Sequence, residues 1–401
     1  MNQALKKAYP IGFSQLPETL SKDPYSLFER LQQEEPITWI GALKMYYVVR
    51  YNDVEAILKD DKNFEIGTPG SVIFDTFGEH MLTVEGERHD FYKQTFRGSF
   101  MPKHIRDNIE GEILQLVNRL IDDIEAGGQG RAELRSQFAS RLPVQVMLYL
   151  FGLPPEDEEK LRLWYSSFEQ ALENFTWDEA VREKAHKHVA EFHAHLQLAI
   201  DRVRIQPDQS LLNSLVNTPE DHSLSDEEIK RNASIIFFGG ISTVEALILN
   251  AFYALSIHPN TFERVRKDPA LIPQMLEEVV RWMSPVQSAT RHVVRDYEFK
   301  GVKFKKGDTV NCMLSAANRD PEVFLEPEVF DIDRKNNRHH LGFATGPHNC
   351  LGSHLARAEA RIAIDCLLKR LSGCCMDPEN PSEPEGYEFR QPKELNTIWN
   401  I

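Results

Sequence analysis

Cys350 lies in the stretch Phe343–Gly352, FATGPHNCLG, directly before a segment with helical periodicity. A cysteine at the start of a helix sits beside free backbone N–H groups and the positive end of the helix dipole, and both stabilise a thiolate. Gly346 and Gly352 allow the backbone close approach and unusual torsions around it. A thiolate held this way is a ligand for a soft or borderline metal, with haem iron among the candidates. A buried free cysteine in an ordinary loop is the alternative, and it is the reading for Cys312 and Cys366.

Two further patterns carry polar groups where burial is expected. The stretch FFGGISTVEAL, Phe237 to Leu247, interrupts a long apolar run with Gly239, Gly240, Ser242, Thr243 and Glu245. These residues lower helix propensity and place polar groups that need partners in a buried helix. Upstream of the cysteine, Glu278 and Arg281 stand at i, i+3, which by itself is a common ion pair on a helix face.

Helices dominate the elements that must position these groups. Periodicity predicts a helix at Pro24–Glu34, short strands at Ile37–Ile40 and Tyr46–Val49, and a helix at Asn52–Leu58. Residues 60–86 read as a loop that carries Phe64, Phe74 and Phe77, lining a site or packing on the core. Helices follow at Glu87–Phe100, Pro102–Glu125, Ser136–Phe151, 156–173, 177–204 and about 208–217. Ser225 and Glu228 form a capping-box signature that opens the long central helix, about 226–257. After it come helices at about 259–268 and 271–283, short strands within 291–312, an irregular stretch at 319–347 and a final helix at about 351–372. There is no internal repeat and no clear linker, so the expectation is a single domain over 1–401, mainly α with a small β portion.

Composition narrows the class. Apolar residues make up 41% and charged residues 27%, which suits a chain that buries a large core. A net charge of −15 argues against nucleic-acid binding through a basic field. Five cysteines without paired spacing suit a reducing cytoplasm. The N-terminus lacks a signal-peptide core, and polar residues interrupt the apolar run at 233–257, so a soluble protein without a membrane anchor is expected.

The pattern F-x-x-G-x-H-x-C-x-G, built from Phe343, Gly346, His348, Cys350 and Gly352, resembles the haem-ligand loop of the cytochrome P450 family. The LARAEAR that follows resembles that family's proximal helix. The E-x-x-R of Glu278 and Arg281, followed by SPVQSATR and AANRDPEVF, extends the likeness over about 275–360. Weaker likeness runs upstream through LPVQVMLYLFGLPPED and EGERHDFYKQTF to most of the chain. The fold this resemblance implies is the family's single large, triangular helical domain.

The resemblance also implies roles, position by position. Cys350 becomes the axial thiolate of haem b, in a loop bounded by Phe343 and Gly352. His89, Lys93, Arg291 and His348 match positions that contact the haem propionates, with Lys93 where arginine is more usual. Glu278 and Arg281 would anchor their helix to the segment near Asn318–Phe330. On the central helix, Gly239 and Gly240 would let the backbone approach the haem, and Thr243 would hydrogen-bond dioxygen and its water. Ser242 stands where an acid is usual, and Ala344 where a glycine is common. Glu245, one turn on, or a water chain through Ser242 could supply protons in place of the missing acid, or Glu245 could simply pair with a neighbouring helix.

The implied activity is insertion of one oxygen atom from O2 into an apolar organic molecule. Electrons would come from NAD(P)H through a separate reductase and a ferredoxin or flavodoxin, docked near Lys93, Arg97, Lys103, Arg334, Lys335, Arg338, Arg357 and Arg361. A monomer is expected. A peroxide-using or redox-neutral haem-thiolate enzyme and a non-catalytic haem sensor or carrier are the rival readings. Substrate-pocket candidates are Phe74, Phe77, Phe238, Val286, Gln287, Ala289 and Thr290.

Overall fold

The computed structural model describes residues 2–174, 176–218 and 223–400. Its central element is the helix Asp226–Ile257, 32 residues long. Ser225 caps it as the sequence predicts: its hydroxyl accepts the Glu228 N–H, and the Glu228 carboxylate accepts the Ser225 N–H at 2.8 Å. The helix is long and apolar enough to cross a membrane, yet 78% of its most apolar window is buried inside the molecule. Leu142–Phe151, Glu158–Leu172 and Glu179–Ile205 pack against it, as do Ile272–Trp282 and the last helix, Ser353–Arg370. Glu110–Ala126 packs on that last helix. Burial of side chains such as Phe151, Phe192, Phe237 and Phe252 between these helices forms the largest core cluster.

The β portion is small and lies where the chain begins and returns. One sheet has five strands in the order Ile37–Ile40, Met45–Val48, Thr309–Cys312, Ala289–Val293, Phe64–Glu65. Met45–Val48 pairs with Thr309–Cys312 in parallel, and the other neighbours are antiparallel. Ala289 opposes Cys312 and Arg291 opposes Val310, so Ala289 and Arg291 share one face of their strand.

Several boundaries differ from those predicted. The stretch read as a loop at 60–86 contains the strand Phe64–Glu65 and a helix, Val72–Phe77, capped by the Ser71 hydroxyl. The helix expected at Ser136–Phe151 begins at Leu142, because Pro143 lacks the N–H that would continue it from the preceding turn. That turn, Arg135–Ala139, is a wide π-type turn. The helix expected at Pro102–Glu125 breaks at Ile109, whose φ of −118° leaves the helical range. Short N-terminal helices at Asn2–Ala8, Pro10–Phe13 and Pro17–Lys22 had no strong periodic signal.

Glu278 and Arg281 are both fully buried and do anchor the irregular stretch. The guanidinium donates to both carboxylate oxygens, at 2.9 and 2.7 Å, and to the carbonyls of Asn318, Pro327 and Val329 at 3.1, 2.8 and 3.0 Å. The carboxylate also accepts the Asp331 N–H and Arg334 Nε. Both charges are therefore paired and hydrogen-bonded, the condition under which a buried ion pair is tolerated.

Candidate active site

The cysteine loop is shaped by two residues of unusual backbone. Gly346 has φ of +77°, and a Cβ there would come within 2.5 Å of the Leu58 carbonyl oxygen, so the loop rests directly on the backbone of Leu58 and Lys59. Ala344, at φ +54°, adopts the left-handed conformation that favours glycine. The substitution noted in the sequence thus falls on a position where the side chain is strained. Cys350 N–H donates to the Phe343 carbonyl at 2.9 Å and closes the loop.

Cys350 sits just before the last helix, exposed, and lines a cavity of about 310 Å³. The surrounding protein pushes its thiol pKa up. The N–H groups of Gly352 and Ser353 and the cations Arg357 and Lys93 work in the opposite direction. Arg357 stacks over the Phe343 ring, 4.2 Å from its centroid, and pairs with Glu277 at 2.6 and 3.0 Å.

The central helix lines the same cavity as the cysteine loop and contributes Ile235, Ile236, Gly239, Gly240, Thr243, Val244 and Leu247 to the wall. Gly239 is exposed to this space, and a Cβ there would meet nothing. The Thr243 hydroxyl donates to the Gly239 carbonyl at 2.7 Å. Ser242 and Glu245 face elsewhere. Ser242 is buried, and its N–H donates to the Tyr165 hydroxyl at 3.1 Å. Glu245 pairs with Arg135 at 2.6 Å and accepts from Gln391 at 3.2 Å. Glu245 therefore makes the interhelical pair that was one of its two readings, away from the cavity wall.

Of the four basic residues expected around a dicarboxylate, His89, Lys93 and His348 line the cavity, and Arg291 does not. His89 and His348 both line it, their rings 4.2 Å apart, and His348 Nε2 bonds Glu85 at 2.6 Å while its Nδ1 is buried without a partner. Burial, with His348 and Lys93 nearby, pushes the His89 pKa down. Arg291 is buried, and among the described residues its one hydrogen bond goes to the Thr290 carbonyl, with no carboxylate paired to it. Burial pulls its guanidinium pKa down as well. Lys93 lines the cavity, but its ammonium bonds the Pro347 and Asn349 carbonyls and Asn349 Oδ1, tying its helix to the cysteine loop.

These observations fit a flat, largely apolar group that carries iron and two carboxylates. A thiol faces the cavity, a buried cation lacks an anion, an imidazole nitrogen lacks a partner, and the walls are apolar. Burial pushes the carboxyl pKa of Glu359, also on the wall, well above its ordinary value.

Of the pocket candidates, Val286 and Ala289 line the cavity. Phe77 is core: its ring packs on Phe168 at 5.3 Å and near Phe238 at 6.3 Å. Phe238 stacks with Tyr165 and touches Phe389, and Phe74 is half-buried in the Val72–Phe77 helix, away from the wall. Gln287 is buried and donates to Ser284, and Thr290 bonds Asn311. The sequence reading missed Met81, Leu82, Pro285, Ser288 and Leu314, which the turns around Val286 and Phe77 bring to the wall. Among the basic residues expected to dock a carrier, Arg334, Arg357 and Arg361 are held in ion pairs with Glu278, Glu277 and Glu110. Arg97, Lys103, Lys335 and Arg338 are exposed, and none makes an ion pair among the described residues.

Comparison with known proteins matches residues 7–397 to the family model described as Cytochrome P450. The chain is 33% identical to the biotin biosynthesis cytochrome P450 of Bacillus subtilis, over 87% of this chain and 89% of that protein. It is 32% identical to the cytochrome P450 monooxygenase PikC of Streptomyces venezuelae, over 90% and 87%. Among solved structures it resembles P450BioI in complex with an acyl carrier protein ligated to hexadec-9Z-enoic acid, with a TM-score of 0.87 at 31% identity, covering 96% of this chain and all of that one. It also resembles CYP109E1 from Bacillus megaterium in complex with testosterone, with a TM-score of 0.84 at 28% identity, covering 94% and 100%.

Proposed function

Since the chain belongs to the cytochrome P450 family, we propose that Cys350 is the axial ligand of its haem and that the residues around the cavity divide the work of a monooxygenase. The protein is a haem-thiolate monooxygenase acting on small organic molecules. Arg291, His89 and His348 would hold the propionates, because they supply buried donors and an unbalanced positive charge at one rim. Lys93 would act one step back, fixing the cysteine loop through its carbonyls. When bound, haem supplies O2 activation, by which one oxygen atom enters the substrate and the other leaves as water.

The chain's own residues do the rest. The helix-start N–H groups and the Arg357 and Lys93 cations act in favour of a thiolate at Cys350, against the burial that raises its thiol pKa. Gly239 leaves room at the cavity wall, where the Thr243 hydroxyl would be able to hold a proton between Gly239 and a guest in the cavity. Ile235, Ile236, Val244, Val286, Ala289 and Leu314 form an apolar wall that excludes water and orients an apolar substrate. Electrons would arrive from NAD(P)H through a reductase and a ferredoxin or flavodoxin, with Arg97, Lys103, Lys335 and Arg338 as the free cations for docking. The enzyme would work as a monomeric, cytoplasmic, single-domain protein.

The observation that carries this reading is the cavity itself, which Cys350, Gly239 and Thr243 line together. The absorption spectrum of the reduced protein under carbon monoxide tests it. The thiolate-shifted band is expected from the wild type and should vanish in Cys350→Ala. A haem band without that shift in the wild type would overturn the assignment.

A further inference from the structure

The turn of the central helix that faces the cavity is held from behind. In an unbroken helix the Ser242 N–H belongs to the Phe238 carbonyl, four residues back. Here the Tyr165 hydroxyl, brought in by the helix Glu158–Leu172, accepts that N–H at 3.1 Å and so competes for it. Tyr165 in turn donates to Glu169 Oε1 at 2.9 Å, one helical turn along its own helix. On the cavity side the Thr243 hydroxyl occupies the Gly239 carbonyl at 2.7 Å. Within a single turn, one N–H and one carbonyl of the ladder are thus engaged by hydroxyls, at the point where Gly239 and Gly240 weaken helix preference. A side chain inserted into the ladder is a recognised cause of local helix distortion.

We propose that Tyr165 and Glu169 form a latch that sets how far the Gly239–Thr243 turn opens towards the cavity. They are positioning residues that act through Thr243, and this role rests on the reading of the cavity as the oxygen-activating site. Ser242 gives the latch a second contact. Its hydroxyl is buried, faces Tyr165 and Glu169, and makes no hydrogen bond of normal geometry.

The surroundings of Glu169 make the latch sensitive to pH. Burial pushes its carboxyl up to about 7, against the Tyr165 hydrogen bond, and the Glu245 and Glu173 charges add to the rise. The groups that face it are Tyr165 and Glu173 on its own helix, Ser242 and Glu245 on the central helix, and Arg135 on the π-type turn. When ionised, Glu169 draws the Tyr165 proton towards itself and leaves the phenolic oxygen a better acceptor for Ser242 N–H. When protonated, it competes as a donor to that same oxygen, and the latch loosens.

Hydrogen–deuterium exchange on the haem-loaded protein, read by mass spectrometry on a peptide spanning Gly239–Thr243, tests this between pH 6 and 8. Tyr165→Phe and Glu169→Gln should each speed exchange of that peptide about tenfold while peptides from Glu110–Ala126 and Ser353–Arg370 stay unchanged. In the wild type, protection corrected for intrinsic exchange should rise as pH passes about 7, and Glu169→Gln should flatten that rise. Unchanged exchange in Tyr165→Phe, or a rise spread evenly over all helices, would overturn the latch. The carbonyl spectrum of the wild type reports separately on the cavity reading, so failure of one is not mistaken for failure of the other.

Discussion

The imidazoles of His89 and His348 face each other 4.2 Å apart, one from the helix Gly86–Arg97 and one from the cysteine loop. His348 bonds Glu85 at 2.6 Å and His89 lies 3.3 Å from Asp90, whereas Arg291 is buried with no carboxylate paired to it. Arg291→Gln should therefore have effects of opposite sign on the two forms of the protein. The haem-free form should gain about 1–3 kcal/mol, because an unpaired buried cation is removed, while the haem-to-protein ratio after purification should fall. Denaturant unfolding of the haem-free protein and pyridine haemochrome quantitation check the two halves.

Ala344 predicts a stabilising substitution. A non-glycine residue at φ +54° costs about 1–2 kcal/mol, and glycine gives back roughly 0.5–1 kcal/mol of that through its freedom in the unfolded chain. Ala344→Gly should raise stability by about 0.5–1 kcal/mol in urea unfolding. Gly346→Ala should do the reverse by a larger margin, since its Cβ would collide with the Leu58 carbonyl.

Breaking the buried pair should be severe and only partly additive. Arg281→Leu leaves the Glu278 carboxylate in the core with fewer partners, which predicts a loss of about 3–5 kcal/mol. The double variant Glu278→Leu with Arg281→Leu should lose less than the sum of the single ones, because neither member of that pair is left facing a missing partner, although Arg334 loses its carboxylate. The three free carbonyls of Asn318, Pro327 and Val329 keep it well below wild type. A thermodynamic cycle of the four proteins measures the coupling.

Glu277 and Glu169 should titrate stability in opposite directions. Glu277 is buried, but its bonds to His340 and Arg357 outweigh burial and hold its carboxyl down at about 2. Its folded value lies below its ordinary 4.5, so its contribution is complete above 4.5 and fades as pH falls towards 2. Glu169, raised from 4.5 to about 7, disfavours the folded state as it ionises, so wild type loses ground against Glu169→Gln as pH rises from 4.5 through 7. Melting temperatures of wild type and both glutamine variants between about pH 2 and 8 show whether the two differences slope in opposite senses.

Thr243 and Glu245 separate chemistry from scaffold on one helix. Thr243→Ala should lower product formed per NAD(P)H consumed several-fold, because the one hydroxyl of that turn at the cavity opening is removed. Glu245→Gln breaks the pair with Arg135 and should lower stability with little change in that ratio. A collapse of the ratio in Glu245→Gln would return the carboxylate to the proton path.

Much of this site was legible from residue types and spacing. Cys350, the glycines beside it, the Thr243 turn and the Glu278–Arg281 pair each depend on local pattern, and each falls where that pattern placed it. What escaped depends on contacts between distant segments. Tyr165 meets Ser242 only because two helices cross, and nothing in either segment alone marks that meeting. Phe77 and Phe238 looked like pocket walls because aromatic residues suit both a pocket and a core, and only packing shows that they face each other. Glu245 drew attention by lying on the right helix, but a spacing of two residues from Thr243 is about 200° around the helix and turns its side chain to Arg135 on the other side.

The Arg281 guanidinium reaches three carbonyls in a stretch with little regular secondary structure to set its length. A ladder of strand or helix can lose a rung and re-register, whereas a fixed fork grips only at set intervals. The segment from Asn318 to Val329 therefore works as a gauge: its exposed side chains can be exchanged freely, but adding or removing a single residue would shift the thiolate loop downstream of it.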